Sequence, residues 1–220
     1  MSHERRFSAA LEPPSDCGRS SLQYSKAEPQ GVALHQIVLA AAAAIQPVEA
    51  PTAQTEMLGI NVPDEFQIGN QARNEQLQIV ELVQPPETVD NWSKLVTSLM
   101  FFNVAQVGLD AFYNQWRSQM RSACPRMTDT LVRGSVDGRS ALRGELFCPK
   151  APKTGKPENL TAVLVQGSVN MMMVQIAFAH RIDTSDRILI EHVTGSLKVC
   201  DQRMLTSCKA RPASGFLATK

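Results

Sequence analysis

Aromatic residues are scarce in this chain, at 5% of 220 positions, and charge is nearly balanced, with a formal net of +1. Few aromatics means no stacking platform for single-stranded nucleic acids or sugars. Near-neutrality means no broad basic face of the kind that holds phosphate backbones, so no nucleic-acid partner is expected. No C-x-x-C pair occurs, which takes away the usual basis for zinc-ribbon and thioredoxin-like chemistry. There is no G-x-S-x-G nucleophile elbow and no Gly-rich phosphate cradle. No apolar run reaches the roughly 20 residues of a membrane helix, so no stable transmembrane span is expected.

What is present is a chain able to bury a core, with 43% hydrophobic against 20% charged residues. Residues 1–31 are rich in Ser, Pro, Glu and Arg without period and read as a disordered extension. Residues 32–54 begin with an almost uncharged stretch ending in alanines. Its length and small-residue ending are those of a signal-peptide apolar region followed by a linker. Because such a segment belongs at a terminus, translation is expected to start near Val32 or Leu34, which removes Cys17 from the product. The competing reading is an Ala-rich helix or linker in a cytosolic protein.

Residues 57–205 read as a single α+β domain, and residues 206–220 as a loose tail. Residues 66–71 and 76–83 are strands, the second alternating through Leu77, Ile79, Val80 and Leu82. Pro85 and Pro86 stop it, Thr88 caps a short helix around Trp92, and the apolar residues from Leu95 onward turn towards strand. Residues 107–123 make the clearest helix, with Leu109, Phe112, Trp116 and Met120 on one stripe, and Cys124-Pro125 ends it. Four strands follow, the first two joined at Asp137-Gly138, a hairpin turn signal, and they suggest an antiparallel meander. A last helix, capped within residues 183–185, carries Ile190, Val193 and Leu197, with Ile188 or Leu189 widening the stripe. The expected architecture is an antiparallel sheet of about five or six strands packed with helices around Trp92, Trp116 and Val193.

Several fragments together resemble a loose family of uncharacterised exported bacterial proteins. They are PPETVDNWSKLVT at residues 85–97, the Trp116 helix closing on Cys124, and VNMMMVQIAFAHR followed by a helix ending in VCD at 199–201. The order of elements resembles the PsbP-like α+β sandwich, over roughly residues 57–205. Members of that fold are mostly small partner-binding modules, so the resemblance implies binding and carries over no catalytic residue.

Individual residues give little chemistry. His180 and His192 have no ligand four residues on, so packing or surface roles are favoured over metal or acid–base work. A pocket bringing either beside Asp183 or Glu191 would favour a hydrolase-type enzyme instead. Met171, Met172 and Met173 are read as core filling between two layers rather than as soft metal ligands. Lys150, Lys153 and Lys156 read as a solvated loop. Four cysteines remain once Cys17 is removed, and the pairs expected are Cys124 with Cys148 and Cys200 with Cys208, with Cys124–Cys200 as the rival. The functional expectation is a periplasmic or secreted protein, with no cofactor, that binds an unknown protein or small-molecule partner. An enzyme with a dispersed site and a cytosolic interaction protein are the alternatives.

Overall fold

The computed structural model describes residues 56–152, 154–201, 208 and 215–219. The readings of residues 1–31 and 32–54, Cys17, Lys153 and most of the tail lie outside them. The strands are β1 (Glu56–Gly59), β2 (Gln67–Arg73), β3 (Leu77–Val83), β4 (Lys94–Phe101), β5 (Thr128–Val136), β6 (Arg139–Cys148), β7 (Glu158–Gln166), β8 (Met171–Phe178), β9 (Lys198–Asp201) and β10 (Leu217–Ala218). The strands are accompanied, among the described residues, by the helices α1 (Leu109–Ala123) and α2 (Thr184–Gly195) and a 3-10 turn at Ala105–Val107.

The fold is of α+β type. Eight strands form one antiparallel sheet in the order β10-β5-β6-β7-β8-β4-β3-β2, and β1 pairs with β9 in a separate ribbon. The four-strand meander β5-β6-β7-β8 is contiguous in that sheet. Its first hairpin turns at Asp137 and Gly138, whose φ values of 51° and 74° are the positive pair that a two-residue turn requires. The sheet is wider than the five or six strands expected, because β4 runs full length and β10 adds to the β5 edge.

The expected helix around Trp92 does not form. Thr88 and Asn91 instead exchange both backbone hydrogen bonds, at 3.1 and 3.0 Å, in a tight turn. The Glu87 carboxylate accepts the Ser93 N–H. The strand then starts at Lys94, because residues 95–101 pair on one side with β3 and on the other with β8. Two complete ladders outweigh the local helix signal of Thr88 and Asp90.

Both faces of the sheet are covered, each by its own apolar core. On one face α1 buries Phe112, Tyr113, Trp116 and Met120 against Leu95, Leu99, Leu142, Leu164 and Met173. Trp92, partly buried, packs on this core from the preceding turn. On the other face α2 buries Leu189, Ile190 and Val193 against Val96, Val163, Val174, Ile176 and Phe178, with Leu58 and Leu197 alongside. Leu189 widens the α2 stripe, whereas Ile188 is 67% exposed. Strand β8 is therefore buried throughout, with Met171 and Met173 in the first core and Met172 in the second. That is the alternation of a strand between two layers.

One disulfide ties a covering helix to the sheet, and a second lies at the β1–β9 ribbon. Cys124, just past α1, is bonded to Cys148 at the end of β6, and Cys200 on β9 is bonded to Cys208. No helix among the described residues is long and apolar enough to cross a membrane.

Candidate functional site

The α2 face of the sheet changes character from one side to the other. Reading across the strands, Val96 pairs with Ile176, Ile176 with Thr161, Thr161 with Glu145, and Glu145 with Thr130. Paired residues share a face, so this row is apolar beneath α2 and polar beyond it. The neighbouring row runs from Phe178 through Asn159 and Phe147 to Thr128. Because α2 covers only the centre of the sheet, the polar part of both rows is left as the floor of a groove. The groove has a volume of about 660 Å³. Arg187, Ile190 and Glu191 of α2 form one wall, together with Arg181 and Ile182 of the segment that leads into the helix.

The electrostatics of this groove divide into satisfied and unsatisfied groups. Arg143 lies 2.9 Å from Glu145 and 3.5 Å from Glu191. Asp129, at the far rim, is held by Arg117 and Arg121 of α1. The hydrogen bond from Arg117, with that from Arg121, more than offsets burial and holds the Asp129 carboxyl below the usual carboxylate range. Three carboxylates of the lining thus share three guanidinium groups, Glu145 and Glu191 with Arg143, and Asp129 with Arg117 and Arg121. Arg181 and Arg187 have neither hydrogen bond nor ion pair through their side chains among the described residues. Thr161 on the floor is 1% exposed, and its hydroxyl has no hydrogen-bond partner.

A second polar group stands at the entry of α2. Asp183 caps the helix by accepting the Asp186 N–H at 2.9 Å, and the Asp186 carboxylate accepts the Asp183 N–H in return at 2.9 Å. The same Asp186 carboxylate meets Lys94 and the His180 imidazole, each at 2.9 Å. Burial works to raise the Asp186 pKa, but the Asp183 N–H, Lys94 and His180 outweigh it and hold the group below its ordinary value. His180, Asp183 and Asp186 bring three possible metal ligands within 4.8 Å of one another. However, the Lys94 ammonium already occupies the cation position on Asp186, and the capping box uses both carboxylates. The arrangement is that of a reinforced helix cap. His192 is exposed on α2, and neither histidine is among the residues that line the groove.

The α1 face also carries polar side chains within its core. Glu81, Thr97 and Gln175 follow one another across the sheet, all buried. The Trp116 indole N–H and one Gln175 carbonyl oxygen there have no partner. This row lies beneath α1, which is tied down by the Cys124–Cys148 bond. The groove beside α2 is the open one.

Sequence reasoning named Ile190 only as part of the last helix's apolar stripe and Glu191 only as a carboxylate that could stand beside a histidine, and it assembled no groove from them. The signal of the groove floor is the alternation of Arg143, Glu145 and Phe147 with Leu142, Leu146 and Cys148 along β6. That pattern reads as an ordinary solvated strand face until the partial cover of α2 is known.

No family model and no curated protein matches the sequence. Among solved structures, the chain is similar to LpqN of Mycobacterium tuberculosis, described as involved in cell envelope biogenesis. Identity is 13%, with 70% of this chain and 90% of that chain covered and a TM-score of 0.38. A likeness this remote carries no function across.

Proposed function

We propose that the chain is a small exported protein, periplasmic or secreted, that binds a ligand or partner through the groove beside α2 without transforming it. The observation that carries the binding reading is the Thr161 hydroxyl, buried without a partner on the floor of an open polar groove. A buried hydroxyl left unpaired costs about 1–3 kcal/mol, and a bound molecule that accepts or donates there recovers it. The groove volume of about 660 Å³ is that of a small-molecule site.

Export is supported by the two disulfides, which persist in oxidising compartments, and by the apolar segment at residues 32–54. The disulfides weigh against the cytosolic alternative. An antiparallel sheet with a helix on each face supports the PsbP-like sandwich as the fold family.

The reading is tested by following the backbone amide resonances of the labelled protein against three probes: maltose, 1-octanol and glycerol 3-phosphate. Saturable shifts centred on Phe147, Thr161 and Ile190 with any one probe support a binding groove. Shifts absent with all three, or confined to other surfaces, overturn it.

A further inference from the structure

We infer that the groove takes an organic oxyanion, a phosphate or carboxylate head on a hydrogen-bonding body, with Arg181 and Arg187 as its charge partners. This rests on the binding reading above and specifies the ligand.

The argument is one of charge matching. The three carboxylates of the groove are balanced as a set by three guanidinium groups, Glu145 and Glu191 sharing Arg143, and Asp129 taking Arg117 and Arg121. Arg181 and Arg187 are the guanidinium groups left over in the lining, with no partner among the described residues. Unpaired guanidinium groups that share a concave surface raise the local concentration of anions, and their planar forks match phosphate and carboxylate oxygens. The N-terminus of α2, often an anion site in its own right, is closed by the Asp183 carboxylate. The positive charge available to a ligand therefore comes from the two side chains.

The rest of the lining sets the body of the ligand. Thr161 offers a buried hydroxyl and Thr128 and Thr130 offer exposed ones, while Phe147 and Ile182 supply apolar contact. A bare inorganic anion uses the guanidinium groups and leaves Thr161 unpaired. An organic anion with hydroxyl groups uses both.

The experiment is a titration of the full chain with glycerol 3-phosphate, glycerol and inorganic phosphate, followed by amide shifts and calorimetry. The proposal expects glycerol 3-phosphate to bind in the groove, at least about tenfold more tightly than inorganic phosphate and with no detectable glycerol binding. A hydrogen bond to a charged group is worth about 1.5–3 kcal/mol, so Arg181→Gln and Arg187→Gln should each weaken binding about tenfold or more. Thr161→Val should weaken it while leaving the inorganic phosphate affinity unchanged. Added salt should weaken binding in the native protein more than in the double arginine variant. Cosedimentation with phosphatidylglycerol vesicles, lost in the double variant and absent with phosphatidylcholine, assigns the anion to a lipid headgroup. Binding of the free phosphate ester without vesicle binding assigns it to a soluble molecule.

Maltose or 1-octanol binding in the groove, with glycerol 3-phosphate silent, overturns the anion assignment and leaves the binding groove standing. Equal affinity for inorganic phosphate and glycerol 3-phosphate shows an adventitious ion only and also overturns it. No groove shift with any probe overturns both readings.

Discussion

The fully buried carboxylate of Asp186 lies 2.9 Å from the ammonium of Lys94, and this contact joins the start of β4 to the first turn of α2. It fixes the entry of the helix whose far side walls the groove. Removing the cation leaves a buried charge without its ammonium partner, which costs about 3–5 kcal/mol. Lys94→Met is expected to destabilise by roughly that amount in urea unfolding, and adding Asp186→Asn in the same chain should recover part of the loss. A Lys94→Met protein as stable as the parent would show that the pair contributes nothing.

Acid should weaken the fold through the same group and one other. The Asp186 and Asp129 carboxyls both titrate below their ordinary values, the first despite burial and the second through Arg117. Their folded pKa values lie below the unfolded ones, so their stabilisation is fully present above the unfolded value. It is lost as pH falls through the folded value. The melting temperature should therefore fall below about pH 4. Asp129→Asn should lower stability at pH 7 and flatten part of the acid limb.

Tyr113 and Gly144 define a close approach between α1 and the sheet. A Cβ at position 144 would meet the Tyr113 hydroxyl and come within 3.1 Å of two ring carbons. Gly144→Ala is expected to cost about 1–3 kcal/mol by overpacking, and less when Tyr113→Phe is present. Burial, aided by the Asp129 charge, pushes the Tyr113 hydroxyl up to about 12. An acid whose folded pKa is raised contributes stability below its unfolded value of about 10 and loses it as pH rises towards 12. Tyr113→Phe should flatten that alkaline loss, read from melting curves between pH 9 and 12.

Without ligand, Thr161→Val should be neutral to stabilising, by up to about 1 kcal/mol, because it removes a hydroxyl that has no partner. A loss above that would show that the hydroxyl is already paired in the free protein.

The Cys124–Cys148 bond closes a segment of 24 residues between the end of α1 and the end of β6. A loop of that size is worth about 3 kcal/mol in the chain-entropy account. Replacing both cysteines by serine should lower unfolding stability by that order. The groove-centred amide shifts should survive, because neither cysteine lines the groove.

Local patterning carried much of the fold. The stripe from Leu109 to Met120 states a helix with one buried face, and Asp137-Gly138 states a turn that only a positive φ pair satisfies. Asp183 and Asp186 spell out a cap whose geometry depends on neighbours within four residues. What stayed hidden depends on distant pairing. Residues 88–95 hold a helix signal that loses to ladders with β3 and β8, and β8 lies far along the chain. β10 and the β1–β9 ribbon are short, so their pattern is too brief to read. The groove is the clearest case. Thr161, Glu145, Arg181 and Arg187 converge only because α2 stops short of the β5 side of the sheet, and the order of residues does not record that limit.

In the proposed function the disulfide-bonded scaffold that carries this groove is exported. The most direct test is the intact mass of the native protein from fractionated cells, before and after reduction. The account predicts an extracytoplasmic species that begins within or just after residues 32–54 and lacks Cys17. It should gain about four mass units on reduction, two hydrogens for each of two disulfides. A cytoplasmic species that keeps residues 32–45 and whose cysteines all react as free thiols would contradict it.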